Sequence, residues 1–323
     1  MAHGSTFDTL RARAGRAAMD ATWSILARTR HLPAAQPERY GIERIRDVPY
    51  IDSGLAAHTL DVYRPAPRAE PRPVVLYIHG GGFRILSKDT HWVMALAFAR
   101  RGYVVLNVNY RLAPGHPFPA AVEDCGAALL WAHEHAREFG GDPSRLVLAG
   151  ESAGANLVTS LVIATRYERA EPWARRVFDS GVLPCAALPT CGMLQVSDVD
   201  RFVRRRMVSP FIADRLREIE QAYKPGVGLP SQDLADPVSM LERGDSPTRP
   251  LPPFFAGVGT ADVLQEDTRR LDVALRRMGA RSLARYYDGE PHAFHALVWR
   301  PHAKAFWRDT FAFLDEHVPH AGG

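Results

Sequence analysis

The chain has 323 residues, of which 46% are hydrophobic and 24% charged, and these proportions exclude a disordered, collagen-like or coiled-coil protein. Its 40 basic and 36 acidic residues leave a net charge of only +4, and the densest basic run, residues 204–206, has no RNA-binding pattern around it, so nucleic acid is not an expected partner. The three cysteines, Cys125, Cys185 and Cys191, form no C-x-x-C pair, so neither a disulfide framework nor a zinc site of familiar spacing is predicted.

Residues 5–30 are predicted to form an amphipathic helix, because apolar residues recur there at helical spacing. Arginines give this segment a basic face, so contact with a membrane surface is the minor alternative to packing on the body of the protein. The segment lacks the uncharged stretch of a secretory signal, and the chain has no run of 18 apolar residues. A cytoplasmic location without stable membrane insertion is therefore predicted.

From residue 74 onward, short apolar runs alternate with helical periods, which is typical of parallel strands joined by helices and predicts an α/β fold. Strands are predicted at residues 74–79, 103–109, 145–150, 181–188, 254–258 and 282–287. Helices are predicted at residues 91–101, 119–139, 153–167 and about 302–317, with one more that ends at Gly279. The alternation breaks between about residues 189 and 253, and such an insertion is expected to form a lid.

The sharpest local motif is Gly-Glu-Ser-Ala-Gly at residues 150–154, between a predicted strand and a predicted helix. Glycines at both ends let two backbones pass closely, and such a turn lifts the serine clear of the sheet. The motif therefore predicts a nucleophile elbow with Ser152 as the nucleophile. The alternative is a glycine-rich turn whose serine caps the following helix, but the strand–turn–helix context favours catalysis.

A serine nucleophile needs a base within hydrogen-bonding reach and an acid that orients the base. In hydrolases built on such an elbow, the acid follows later in the chain, at the end of another strand. Asp262 comes just after the strand predicted at residues 254–258 and is the expected acid. Glu266 and Asp267 are the alternatives, in the first turn of the next helix, where carboxylates also complement the helix dipole.

The expected base is His292, which follows the strand predicted at residues 282–287 after a short loop. His295 is the close alternative because it lies only three residues further on. Two histidines at this spacing could also suggest a metal pair, but no third ligand of suitable spacing accompanies them. No metal site is predicted.

A developing oxyanion also needs preorganised backbone N–H donors. The sequence His-Gly-Gly-Gly-Phe at residues 79–83 follows a predicted buried strand, and its glycines allow the main chain to curl against a substrate carbonyl. The N–H of Ala153, directly after the proposed nucleophile, is the second expected donor. Neither of the glycine motifs that cradle phosphates is present, so a nucleotide site is not predicted.

With three further motifs, these residues resemble the bacterial hormone-sensitive-lipase-like esterases of the α/β-hydrolase superfamily. The further motifs are Tyr-Arg-Leu-Ala-Pro at residues 110–114, Phe-Pro-Ala-Ala-Val-Glu-Asp at 118–124 and Gly-Asp-Pro-Ser-Arg at 141–145. The resemblance implies an α/β-hydrolase fold, with a mostly parallel central sheet, helices on both faces and a helical cap. It implies N-terminal cap helices at residues 1–45, a catalytic core at 46–188 and 254–323, and a cap insertion at 189–253.

Residue by residue, the resemblance implies Ser152 as nucleophile, Asp262 as acid and His292 as base. It implies an oxyanion hole formed by Gly81, Gly82 and Ala153, and it implies no metal and no organic cofactor. The chain departs from the family pattern at four positions, where the residues found are Gly115, Ala155, Val263 and Ala293. None of these departures removes a reacting group.

The predicted function is that of a serine carboxylesterase that hydrolyses short- to medium-chain acyl esters through an acyl-enzyme intermediate. The alternatives are an amidase, lactonase or acyltransferase with the same triad, and a ligand-binding protein on a hydrolase fold. The expected partner is a small-molecule ester, and both a monomer and a homodimer stay open. Apolar residues of the insertion are expected to pack the lid on the body rather than line a pocket; they include Met193, Leu194, Phe202, Met207, Val208 and Phe211.

Overall fold

The computed structural model describes residues 31–66, 70–205, 208–224 and 232–318, so the helix predicted at residues 5–30 lies outside the described residues. One eight-stranded sheet has the order β1-β2-β4-β3-β5-β6-β7-β8. Its strands are β1 (Ile42–Pro49), β2 (Thr59–Pro65), β3 (Arg72–Ile78), β4 (Val104–Val108), β5 (Gly141–Glu151), β6 (Ala186–Thr190), β7 (Phe254–Gly259) and β8 (Ser282–Tyr287). Neighbouring strands from β4 to β8 across the sheet are parallel, and the β1–β2 and β2–β4 pairs are antiparallel.

Helices cover both faces of the sheet. They are α1 (Trp92–Arg101), α2 (Ala120–His135), α3 (Ala153–Arg166), α4 (Pro172–Asp179), α5 (Asp200–Arg204), α6 (Pro210–Tyr223), α7 (Pro237–Glu242), α8 (Gln265–Arg277) and α9 (Pro301–His317). Residues of α2, α3 and α8 join one hydrophobic cluster, and residues of α1 and α9 join the other. None of the described helices is long and apolar enough to cross a membrane.

Strand β3 shows why the central strands appear in the sequence as continuous apolar runs. Leu76 and Ile78 point into the first hydrophobic cluster, whereas Val75 and Tyr77 point into the second. A parallel strand covered on both faces must be apolar at successive positions. The predicted α/β class with helices on both faces is confirmed.

The predicted elements differ from the structure mainly at the ends of the sheet. Strands β1 and β2 were not predicted, because charged residues interrupt their short apolar pattern, and β1 is largely exposed. Strand β1 begins at Ile42, within the segment expected at residues 1–45. Strand β6 begins at Ala186 rather than at residue 181, because pairing with β5 starts there, opposite Val147.

Between β6 and β7, helices α5, α6 and α7 replace the strand–helix alternation, where the sequence predicts an insertion. Three of its apolar side chains, those of Met193, Leu194 and Phe202, are buried in the first hydrophobic cluster, and Val208 packs against that cluster. Phe211 is 43% exposed, and Met207 lies outside the described residues. These apolar residues therefore mostly pack the insertion onto the body, as expected.

Replacing Leu76 by alanine tests the importance of the two-sided core. Leu76 is fully buried in β3, so Leu76→Ala should lower the free energy of unfolding by about 2–5 kcal/mol through lost burial and a new cavity. Urea denaturation measures this change. Leu183→Ala, at a position that is 44% exposed, should change it by less than about 0.5 kcal/mol. Equal effects of the two substitutions would contradict this packing.

Candidate active site

Ser152 occupies a sharp turn between β5 and α3. Its backbone angles are φ 55° and ψ −115°, a conformation that costs energy for any residue with a side chain and is tolerated where the surroundings enforce it. The N–H of Ser152 donates to the carbonyl of Thr190 at 3.0 Å, and its own carbonyl accepts from the N–H of Met193 at 3.2 Å. The end of β6 therefore holds this turn on both sides.

The glycines of the motif allow the turn to pack against β3. A Cβ atom at Gly154 would lie 2.0 Å from the carbonyl oxygen of Ile78, and one at Gly150 would lie 2.7 Å from it. Real Cβ atoms do not approach this closely, so only glycine fits at either position. The strand–turn–helix context that the motif predicts is confirmed, and Ser152 stands at its apex.

Asp262 and His292 are brought together by the loops that follow β7 and β8. The Nδ1 atom of His292 donates to Oδ2 of Asp262 at 2.7 Å, while Oδ1 of Asp262 accepts from the N–H of Leu264 at 2.9 Å. The carboxylate is only 3% exposed. Gly259 permits this contact, since a Cβ there would lie 1.9 Å from the carbonyl oxygen of Glu290 in the histidine loop.

The contact with Asp262 sets the properties of His292. Loss of hydration lowers the pKa of His292, but the neighbouring carboxylate outweighs this effect and raises the pKa above its ordinary value. Because Nδ1 carries the proton donated to Asp262, the second ring nitrogen, Nε2, is left to accept a proton. The side chain remains 41% exposed, so a substrate can reach it.

The alternative acids and the alternative base have other partners. Glu266 is held by Arg269 and Arg205, whose hydrogen bonds lower its pKa to about 2. Asp267 is fully buried and lies 2.8 Å from the Arg201 guanidinium. His295 is 2% exposed, and its Nε2 atom lies 2.5 Å from a carboxylate oxygen of Glu151. The geometry therefore favours the Asp262–His292 pair over its rivals.

The glycine loop at residues 79–83 lies beside the nucleophile turn. A Cβ at Gly80 would contact the Ser152 Cβ at 3.3 Å, so the two backbones are adjacent. Gly81 and Gly82 have φ values of 106° and 59°, which suit glycine. Among the described residues, the N–H groups of Gly81, Gly82 and Ala153 donate to no backbone carbonyl, which leaves them available to a substrate oxygen.

Helix α6 of the insertion packs directly on the glycine loop. The Phe83 and Tyr223 rings stack with centroids 3.6 Å apart, and the Arg84 guanidinium lies 3.4 Å from the Glu218 carboxylate. A Cβ at Gly82 would lie 2.8 Å from Cδ1 of Ile219. The insertion therefore bounds the space above the expected oxyanion hole.

Cys191 lies within the same group of side chains. Its sulfur and the nearest ligand atoms of Asp262 and His292 lie within 4.8 Å of one another, and the backbone N–H groups of Ser152 and Ala293 are beside the sulfur. Burial raises the pKa of the thiol well above its usual value, so it is protonated at neutral pH. Because Asp262 and His292 already bind each other, we interpret Cys191 as packing between the loops that carry Ser152, Asp262 and His292, and not as a metal ligand.

Sequence reasoning missed the environment of Glu151. Its Oε1 lies 2.7 Å from Nε2 of His91, and its Oε2 contacts His295 at 2.5 Å and the Tyr77 hydroxyl at 3.3 Å. The available signal was an acidic residue inside the serine motif together with a second histidine after His292. Which groups it would meet could not be deduced, because His91 and His295 lie 60 and 144 residues away in the chain.

Comparison with known proteins identifies the family. Residues 75–296, more than two thirds of the chain, match the family described as alpha/beta hydrolase fold. The chain belongs to the α/β-hydrolase family. Together with the named relatives, this match confirms the resemblance to hormone-sensitive-lipase-like esterases that the motifs indicate.

This α/β-hydrolase is similar to several named enzymes. Carboxylesterase NlhH of Mycobacterium tuberculosis is 33% identical over 216 residues, which span 66% of this chain and 64% of that relative, a little under two thirds of its length. An acetyl-hydrolase of Streptomyces hygroscopicus is 31% identical over 275 residues, or 82% of this chain and 83% of the relative.

Solved structures share the architecture. A bacterial heroin esterase superimposes with a TM-score of 0.73 at 24% identity, covering 94% of this chain and 91% of the other. A mutant of the esterase E40 superimposes with a TM-score of 0.67 at 28% identity, covering 86% of each chain. At 24% identity, the likeness to the heroin esterase shows the fold alone, and it confirms the predicted α/β-hydrolase architecture.

The raised pKa of His292 gives a prediction that needs no turnover. In NMR titrations of its imidazole signals, wild-type His292 should titrate above pH 6.5, its usual value. In Asp262→Asn the pKa should fall, because the charge that favours the imidazolium is gone. The same pKa in both proteins would contradict the assigned pairing. Asp272→Asn, in α8 and paired with Arg276, is a control that should leave the titration unchanged.

Proposed function

We propose that this α/β-hydrolase is a serine carboxylesterase acting on short- to medium-chain acyl esters, with Ser152, His292 and Asp262 as its triad. The observation that carries the proposal is the convergence of two loops on one side chain: the Cys191 sulfur lies beside the N–H groups of Ser152 and Ala293. This contact puts the nucleophile turn next to the loop of the base. The esterases and hydrolases among the relatives support the same activity.

The proposed reaction follows from the positions of these groups. Ser152 Oγ attacks the ester carbonyl carbon while Nε2 of His292 accepts the hydroxyl proton, and Asp262 stabilises the resulting imidazolium. The negative charge that develops on the carbonyl oxygen is stabilised by N–H donors of Gly81, Gly82 and Ala153. The intermediate then expels the alcohol, which takes the proton from His292.

Release of the acyl group repeats the sequence with water. His292 removes a proton from a water molecule, whose oxygen attacks the acyl carbon, and the same N–H donors stabilise the second oxyanion. Collapse breaks the bond to Ser152 Oγ, which regains its proton from the imidazolium. The products are a carboxylic acid and the free enzyme, and the proposed reaction uses no cofactor in either acylation or deacylation.

A preference for shorter acyl groups is supported by the position of helix α6. Ile219 lies against Gly82, and the Phe83–Tyr223 stack fixes the helix over the glycine loop. We therefore assign the segment between β6 and β7 as a cap that limits the space for substrate. With the observed strand bounds, the catalytic core comprises residues 42–190 and 254–318.

Location and assembly are further parts of the proposal. A cytoplasmic location agrees with three free cysteines and no disulfide among them. A homodimer is supported by β8, which forms the outer edge of the sheet and offers backbone groups to a second strand. Sedimentation of the purified protein distinguishes a dimer from a monomer.

Hydrolysis of p-nitrophenyl esters of increasing acyl length tests the proposed activity. Wild type should act on short chains, and Ser152→Ala should lose about 10⁴-fold or more in kcat, since only binding and oxyanion stabilisation remain. Ser144→Ala, on the exposed side of β5, is the matched serine control and should keep wild-type rates. Ester activity that persists in Ser152→Ala would refute the assignment of the nucleophile.

Substrates with the same acyl group on an ester and on an anilide separate the esterase from an amidase. The proposal expects ester hydrolysis to be faster by a wide margin. A folded protein that is inactive on every ester would instead favour another acyl donor or a binding protein.

A further inference from the structure

A buried carboxylate lies directly behind the proposed nucleophile. Glu151 is 5% exposed, and each of its oxygens meets a histidine: Oε1 contacts Nε2 of His91 at 2.7 Å, and Oε2 contacts Nε2 of His295 at 2.5 Å. The Tyr77 hydroxyl also donates to Oε2, at 3.3 Å. A buried charge needs such partners, because an unpaired one is strongly destabilised.

The hydrogen-bond pattern around His91 assigns it a positive charge. Its Nδ1 faces two acceptors, the Ser87 carbonyl at 3.1 Å and Thr90 Oγ1 at 2.9 Å. The Thr90 hydroxyl proton is already donated to the Ser87 carbonyl at 2.7 Å, so Nδ1 must be the donor. Since Nε2 also donates, to Glu151, both ring nitrogens carry protons and His91 is an imidazolium.

The neighbouring pKa shifts agree with this assignment. Burial alone would raise the pKa of Glu151, but the two histidines hold it well below its usual range. Burial, together with the charge of His91, lowers the pKa of His79 to about 3. Glu151 is therefore ionised beside the positive His91, and His79 is neutral.

His295 completes the cluster through the contact of its Nε2 atom with Glu151. His295 and Thr310 both line a cavity of about 10 Å³. Both His295 Nδ1 and Thr310 Oγ1 are buried without a hydrogen-bond partner in the protein. A polar space of this size can hold one water, which would supply a partner to both groups.

The three residues belong to the three segments that build the proposed site. Glu151 precedes the nucleophile, His295 lies three residues after the base, and His91 ends the loop that begins with the glycines at residues 80–82. We propose that Glu151, bound by His91 and His295, is a positioning residue. It holds the turn of Ser152, the loop of His292 and the glycine loop at residues 79–83 in the relative positions that the reaction needs. This inference rests on the proposed function, because it concerns the geometry of the same site.

Glu151, His91 and His295 are called the clamp below. The clamp should affect the rate of the chemical step and have little effect on substrate binding. A misplacement of about 1 Å in reacting groups can cost about 100-fold in rate. Glu151 touches none of the reacting atoms in the proposed mechanism, so its loss should lower kcat while KM changes little. The charge of Glu151 also raises the pKa of His292, after the larger effect of Asp262; the buried Cys191 thiol is the third ionisable group beside His292.

Variants of the clamp separate positioning from simple destabilisation. Glu151→Gln and His295→Leu should each lower kcat about 10- to 100-fold on p-nitrophenyl butyrate, with KM within about threefold of wild type. His295→Gln should retain most activity, because the amide nitrogen takes about the place of Nε2 and can still donate to Glu151. Melting temperatures are measured for every variant.

Asp124→Asn is the matched control, because Asp124 is another buried carboxylate that contacts a histidine, His58, at 3.3 Å and an arginine, Arg111, at 2.6 Å. It lies in α2 and should lose stability without a comparable loss of kcat. Unchanged kcat in Glu151→Gln would overturn the proposal. So would an equal loss of kcat in Asp124→Asn at an equal loss of melting temperature, since that would show a purely structural effect.

An NMR titration of His292 keeps this test independent of the proposed activity. The pKa of His292 should be lower in Glu151→Gln than in wild type, because a nearby negative charge is removed, and Asp124→Asn should leave it unchanged. An unchanged pKa in Glu151→Gln would count against the clamp even in a protein with no esterase activity. Hydrolysis that persists in Ser152→Ala would instead overturn the proposed function. The titration of His292 would still test the clamp in that case.

Discussion

Two backbones meet at the end of strand β3, where the carbonyl of Ile78 lies against the glycines on either side of Ser152. This contact fixes the start of helix α3 against the sheet and forces Ser152 into a positive φ. The strain is tolerable because Thr190, at the end of β6, and Met193, just after it, hydrogen-bond to the turn. The glycine loop leaves β3 at the same point, so the proposed oxyanion donors and the nucleophile share one anchor.

Much of this arrangement follows from local sequence. The strand–turn–helix around Ser152 could be predicted because glycine spacing and apolar runs are local signals, and β8 was predicted with its observed bounds, Ser282–Tyr287. The placement of Asp262 and His292 after successive parallel strands follows from the rule that such strands end at the same edge of the sheet. The antiparallel strands β1 and β2 were missed because charged residues interrupt their short apolar pattern.

The roles of the two histidines after β8 could not be separated by spacing alone. His292 and His295 differ in what surrounds them: one contacts Asp262 at an accessible position, and the other contacts Glu151 in the core. The left-handed backbone of Ala293, with φ 57°, lies between them, at one of the four positions where the chain departs from the family pattern. The contacts that assign each ring come from strands far apart in sequence, so tertiary structure alone reveals them.

The account depends most on Ser152 being the group that becomes acylated. A p-nitrophenyl phosphonate transfers its phosphonyl group to an activated serine and releases p-nitrophenol, so intact-protein and peptide mass spectrometry can locate the adduct directly. The structure predicts one adduct per chain, on the peptide that contains Ser152, with its formation slowed in His292→Ala. An adduct on another residue, or continued ester hydrolysis by fully labelled protein, would contradict the assignment.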